Sequence, residues 1–240
     1  MIKLFKFLLY LVLAVIIVLI LVGGYFGLVP GVSALFGSST PKDLEVEYTQ
    51  ADIDTAVAKT GVDFSYIPSN GIPKDAIQFD GKSNLNQSFS ESELTALFAN
   101  DKWEYNFLKD VQVKINPDGT EELSGVLIPS RVTGFLRARR YPESTVKMIT
   151  DKLKYFVNDP TFHVKLNSSW ENNVLSMDLM SASIGRVPVP AEWLENDSTI
   201  TYVVQKHVLS VPELKINSLK FEDGKMKYDG TFPTKIIWSK

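Results

Sequence analysis

The chain has 240 residues, 45% of them hydrophobic and 11% aromatic, and a net charge of −3. That balance excludes the basic domain of a nucleic-acid binder, and the aromatic content excludes a disordered chain. With no cysteine anywhere, disulfides, thiolate metal sites and lipid attachment through cysteine are excluded as well.

Lys3 and Lys6 precede an uncharged apolar run from Phe7 to Leu28, and the next charge is Lys42. At about 1.5 Å per residue the run is long enough to cross the roughly 30 Å hydrocarbon core of a bilayer. It predicts a transmembrane helix over residues 7–29, with residues 1–6 held in the cytoplasm by the positive-inside bias. Residues 30–43 then form a linker and residues 44–240 an extracytoplasmic domain, so the chain reads as a single-pass signal-anchor protein of the cell membrane. The rival is a signal peptide cleaved after Val32-Ser33-Ala34. A signal h-region of about 7–15 residues is shorter than this run, which favours the uncleaved anchor. Gly23, Gly27 and Gly31 have the spacing of close helix pairing, or mark the fraying helix exit before Pro30; the second reading is preferred.

In the body, Leu44–Tyr48 alternates apolar and polar and predicts a short strand. Thr49 and Asp52 form a capping box for a helix to about Lys59, stopped by Gly61. Asp63–Ser88 is rich in Pro, Gly, Asn and Ser, with one strand expected at Ala76–Phe79. Ser90 and Glu93 cap a second helix to about Ala99, with Phe89 stapled to Leu94. Strands Glu104–Ile115 and Glu121–Ile128 follow, joined by the turn Asn116-Pro-Asp-Gly119. The order then recurs. A helix opens at Pro142 with the stripe Val146, Ile149, Leu153, Phe156 and Val157, and strands follow around Phe162–Leu166 and Leu175–Leu179. A third round has a helix start at Ala191–Leu194, a helix over Ile200–Leu209, and strands Leu214–Phe221 and Lys225–Phe232 joined at Asp223-Gly224. Three rounds of helix and hairpin predict an α+β domain: a mostly antiparallel sheet with helices packed on one face.

The stretch Met180-Ser-Ala-Ser-Ile-Gly185-Arg-Val-Pro188-Val-Pro190-Ala-Glu-Trp-Leu194, after the capped helix Ser90–Ala99 and the Gly125-Val-Leu strand, resembles the YpmS-like single-pass bacterial surface proteins. More distantly it resembles lipid-binding domains of the TULIP and LmeA type. The resemblance covers about residues 85–235 and leaves out Leu44–Ser88. It implies a curved sheet wrapping a helix around an apolar groove, with lipid or another amphiphile as cargo. Gly185, Pro188 and Pro190 also have a purely local reading as a tight structural corner.

Reactive chemistry is sparse. His163 and His207 have no companion motif, and the carboxylates Asp110, Asp118, Glu121 and Glu122 around one hairpin are more simply turn residues than a cation site. No catalytic residue, metal site or cofactor is expected. Arg131, Arg137, Arg139 and Arg140 cluster within ten residues with no acid among them. They suit phosphate or carboxylate in anionic lipid or an anionic wall polymer, or they protect a solvated strand edge. Trp103, Tyr105 and Phe107 alternate; they line a groove or belong to the core. Asn86, Asn167 and Asn196 head glycosylation sequons, which matter only where that machinery exists. The expected function is a non-enzymatic, membrane-tethered binding domain for lipid or another amphiphile. The alternative is a structural scaffold contacting an envelope protein or anionic polymer, and a wall-acting enzyme with dispersed carboxylates comes third.

Overall fold

The computed structural model describes residues 15–27, 29, 32–36, 38–153, 159–190, 192 and 197–240. Residues 7–14 and 28 of the expected span, Phe156–Asn158, and Ala191, Trp193 and Leu194 of the expected helix start lie outside them. Residues 15–25 are helical and reach about 16 Å at 1.5 Å per residue. Among the described residues, no helix is long and apolar enough to cross a membrane.

The body is α+β, with a curled antiparallel sheet forming a half-barrel. Its first helix, α1 (Gln50–Thr60), has the Thr49–Asp52 capping box and ends at Gly61 in the left-handed conformation. Strands β1 (Asp63–Ile67), β2 (Ile77–Asp80) and β3 (Ser83–Ser90) follow, where one strand was expected. The second helix, α2 (Glu91–Asn100), carries the Ser90–Glu93 capping box. Lys59 on α1 donates to both carboxylate oxygens of Glu93, at 2.6 and 2.7 Å, tying the two helices together. Strands β4 (Leu108–Ile115) and β5 (Glu121–Leu127) make a hairpin around Asn116–Gly119. Next come α3 (Pro129–Ala138), which the sequence reading lacked, and α4 (Glu143–Leu153). Strands β6 (Thr161–Glu171) and β7 (Val174–Ile184), the short β8 (Val187–Pro188) and α5 (Asp197–Val208) precede the hairpin β9 (Lys215–Glu222) and β10 (Lys225–Phe232). The chain ends in β11 (Lys235–Ser239).

The larger sheet runs β3-β10-β9-β6-β5-β4, with β7 and β8 on the other side of β6. On one edge of β6, residues 161–166 pair with β5 and residues 170–171 pair with β9. The sheet therefore forks at β6. Phe89, Leu94, Val111, Val113 and Ile115 fill the space between the branches and α2. The outer edge of β4 is closed by side chains. Thr95 accepts from Val113 N–H at 3.0 Å, and Glu91 accepts from Ile115 N–H at 3.1 Å, which removes an exposed ladder edge. Gln112 and Lys114 bond the backbone of Leu44. The alternation at Leu44–Tyr48 does bury Leu44 and Val46, but no ladder forms there, because Glu45 turns to φ 60° and interrupts the extended backbone.

A small second sheet has the order β1-β11-β2, with the C-terminal strand in the middle, parallel to β1 and antiparallel to β2. Trp103, Ala138, Ile236 and Trp238 form its buried cluster, joined by Tyr105 and Phe135. The strand expected from Glu104 begins only at Leu108. Asn106 N–H closes a turn on Trp103 O at 2.9 Å, which sends Trp103 and Tyr105 into this cluster and Phe107 into another with Val132, Leu136 and Val146. The aromatic stripe is therefore divided between two clusters of the core.

Gly134 lets α3 approach Tyr105: a Cβ there would lie 2.1 Å from Cδ1 of the ring. Gly134→Ala should lower folding stability by about 1–3 kcal/mol through overpacking. Chemical denaturation of the full chain in detergent checks this; an unchanged midpoint would mean that α3 does not sit on that ring.

Candidate functional site

The Gly185 corner gains its meaning from what sits on it. Ser183 and Ile184 pair with Pro188 and Val187, so Gly185 and Arg186 are the turn of a tight hairpin, with Gly185 at φ 60°. The exit of the apolar helix docks there. Arg186 N–H faces Phe26 O at 3.4 Å, and a Cβ on Gly185 would lie 2.6 Å from that same oxygen. Gly27, itself at φ 85°, packs beside it: a Cβ on Gly27 would lie 3.5 Å from Gly185 Cα. Only a residue without a side chain at position 185 permits the approach of Phe26 O. Ser38 adds a buried hydrogen bond to Gly24 O at 2.7 Å. The Arg186 guanidinium stands 4.8 Å over the Tyr25 ring and also donates to Phe36 O. Pro188 walls the same corner, and Pro190 is exposed beyond it.

Beside this seat opens a cleft of about 760 Å³, lined by Tyr25, Lys42, His163, Ser183, Arg186 and Pro188 among others. Its polar group is a triangle. Lys42 Nζ donates to Glu122 Oε2 at 2.7 Å, His163 Nε2 lies 2.8 Å from the same oxygen, and Lys42 and His163 are 3.1 Å apart. The hydrogen bond from Lys42, then that from His163, hold the Glu122 carboxyl down at about 2 against the opposing effect of burial. Lys42 and Arg186 both line the cleft, and one carboxylate, that of Glu122, answers the two through its bond to Lys42, so the lining carries a surplus of positive charge at neutral pH. Lys42 is the first charge after the apolar run, but nothing in its sequence neighbourhood points to Glu122 or His163.

The expected arginine patch is divided. Arg131 donates to Asn106 O at 3.1 Å, beside a hollow of about 450 Å³ that also holds Asp101, whose burial raises its carboxyl to about 6. Arg137 makes a two-bond pair with Glu143 at 2.9 and 3.0 Å, so an acid just past the cluster neutralises it. Arg139 is half-buried against Phe79, and Arg140 is exposed. The four sit on α3 and its C-terminal turn, not on a strand edge. Among the described residues no cluster of His, Asp and Glu is arranged to hold a metal ion.

A scan against protein-family models, a search of curated proteins and a search of solved structures each find no match to this chain.

Neighbouring glutamates on β5 have opposite fates. Glu121 is 1% exposed, accepts from Ser168 N–H and Oγ through one oxygen, and leaves Oε2 without a partner. Burial pushes its carboxyl up to about 7, while that of Glu122 is held at about 2. From pH 4.5 to 7 the folded state keeps a proton on Glu121 that the unfolded chain has lost, so this group makes stability fall as pH rises. Glu122 works in the other direction: its contribution is complete above pH 4.5 and is lost as pH drops toward 2. Glu121→Gln should remove the fall in the upper window and leave the acid limb intact, and Glu122→Gln should do the reverse. Denaturation midpoints measured against pH decide it; parallel curves for both variants and the wild type would refute the assignment.

Proposed function

We propose that this chain is a single-pass, membrane-tethered, non-enzymatic binding domain held outside the cytoplasm, and that its cleft at Lys42, His163 and Arg186 receives the anionic headgroup of a lipid or other amphiphile. The observation that carries the proposal is the position of the cleft, walled by the same Gly185 turn on which the apolar helix ends. A headgroup at the membrane surface would meet Lys42 and Arg186 there without leaving the interface.

Two further features support it. The helix at residues 15–25 exposes apolar side chains along its whole described length, with Leu19 63% and Val18 54% exposed; a helix that is apolar all round requires a non-aqueous surround. Tyr25 lies where the run ends, the position that interfacial aromatics favour. The likeness to YpmS-like surface proteins argued from Met180–Leu194 points the same way.

Native mass spectrometry of the full chain, purified in neutral detergent, tests the cargo. Adducts of anionic lipid are expected, and their retention should drop about tenfold when Lys42 and Arg186 are both changed to Ser, since each removes a charge-assisted bond. Equal retention by the variant would overturn the site. A clean spectrum without lipid would turn the reading toward a scaffold that contacts an envelope protein or anionic polymer. Alkaline extraction checks the tether: recovery of a soluble body trimmed after Ala34 would sink it.

A further inference from the structure

Arg139 follows the last turn of α3, where the helix closes with Arg140 N–H bonded to Arg137 O and Tyr141 N–H bonded to Leu136 O. Its guanidinium carbon lies 5.3 Å over the Phe79 ring. Nη2 donates to Ser210 Oγ at 2.8 Å and to His207 O at 3.4 Å. Nε is covered and meets no acceptor. All its bonded acceptors are neutral, and among the described residues no carboxylate bonds it. His207, sharing a 3.1 Å hydrogen bond with Tyr141 OH, adds no charge at neutral pH because burial holds it down to about 4. A charged guanidinium taken out of water against neutral acceptors carries an uncompensated desolvation cost.

A hollow of about 390 Å³ opens against this group, lined by Gln78, Phe79, Arg139, Arg140, Ser210 and Pro212. No acidic side chain lines it. Arg140 is exposed, makes no ion pair among the described residues, and is held at φ 57°, a backbone state uncommon for such a side chain. The helix closure thus keeps two cations at one opening with no counter-charge.

We infer that this hollow is a phosphate-binding site in which Arg139 and Arg140 clamp a phosphate monoester. Two guanidinium groups match a dianion in charge, and their forked donors match its several oxygens. A carboxylate would leave one of the two charges unmatched. The hollow shares Phe79 and Pro212 with a neighbouring one of about 360 Å³, which holds Asp80 and a Lys82–Glu213 ion pair at 3.3 Å; that neighbour leaves room for the uncharged remainder of a ligand and adds no net positive charge. The site is separate from the cleft at Lys42 and stands without the membrane tether.

The test is isothermal titration of the full chain in neutral detergent with inorganic phosphate, against chloride at equal ionic strength. Saturable binding is expected, weakened about tenfold or more in Arg140→Asn, a replacement that tolerates the left-handed backbone. Arg137→Asn, which removes a paired arginine on the same helix, should bind as the wild type does. Absence of saturable heat, or equal affinity in Arg140→Asn, overturns the site. Competition then distinguishes the sources: displacement by phosphatidic acid in micelles, with none by phosphatidylcholine, supports a lipid headgroup, and displacement by glycerol phosphate alone supports a soluble monoester.

Discussion

One edge of β6 has to serve two partners. Its first half pairs with β5 and its last residues pair with β9, so the sheet cannot continue flat across it. The branches diverge, and the gap between them has to be filled; α2 and the cluster around Phe89 and Val113 do so. The opposite edge of β6 is left for β7, which pairs along nearly its whole length and ends in the Gly185 turn. The curl of the body, the burial of α2 and the seat for the apolar helix all follow from that divided edge.

Electrostatics follow the same geometry. Consecutive side chains of β5 point to opposite faces and enter different surroundings. Glu121 falls in the interior with a single hydroxyl and amide to bond it, and Glu122 meets Lys42 and His163 at the cleft. One residue of register thus separates an acid kept protonated to near neutrality from one that stays ionised down to about pH 2. The clefts at Lys42 and at Arg139 differ in kind. The first is partly neutralised by its own carboxylate. The second has no acid to answer its charge.

Features written within a few residues were legible before the structure. Both capping boxes form as read, Asn116-Pro-Asp-Gly119 and Asp223-Gly224 turn the chain, and each of the three helix–hairpin rounds is present as α2-β4-β5, α4-β6-β7 and α5-β9-β10. Features that depend on distant residues were not. Nothing near Asp63 reveals that its strand lies beside Lys235, and nothing near Lys42 reveals Glu122. Helix α3 was hidden by its arginines and by Gly134, whose reason is the Tyr105 ring from another segment. The alternation of Trp103, Tyr105 and Phe107 suggested a strand face, but a turn at Asn106 divides them between two clusters.

The last strand, β11, occupies the centre of the small sheet, between two strands made from residues 63–80. That sheet cannot assemble around a missing middle. Residues 63–80 therefore cannot form this sheet until Lys235–Ser239 has come back to them from far along the sequence, and until then the Trp103 and Trp238 cluster has only part of its walls. Closure that depends on so distant a pairing comes late in folding, and it makes Lys235–Ser239 the latch of this half of the body.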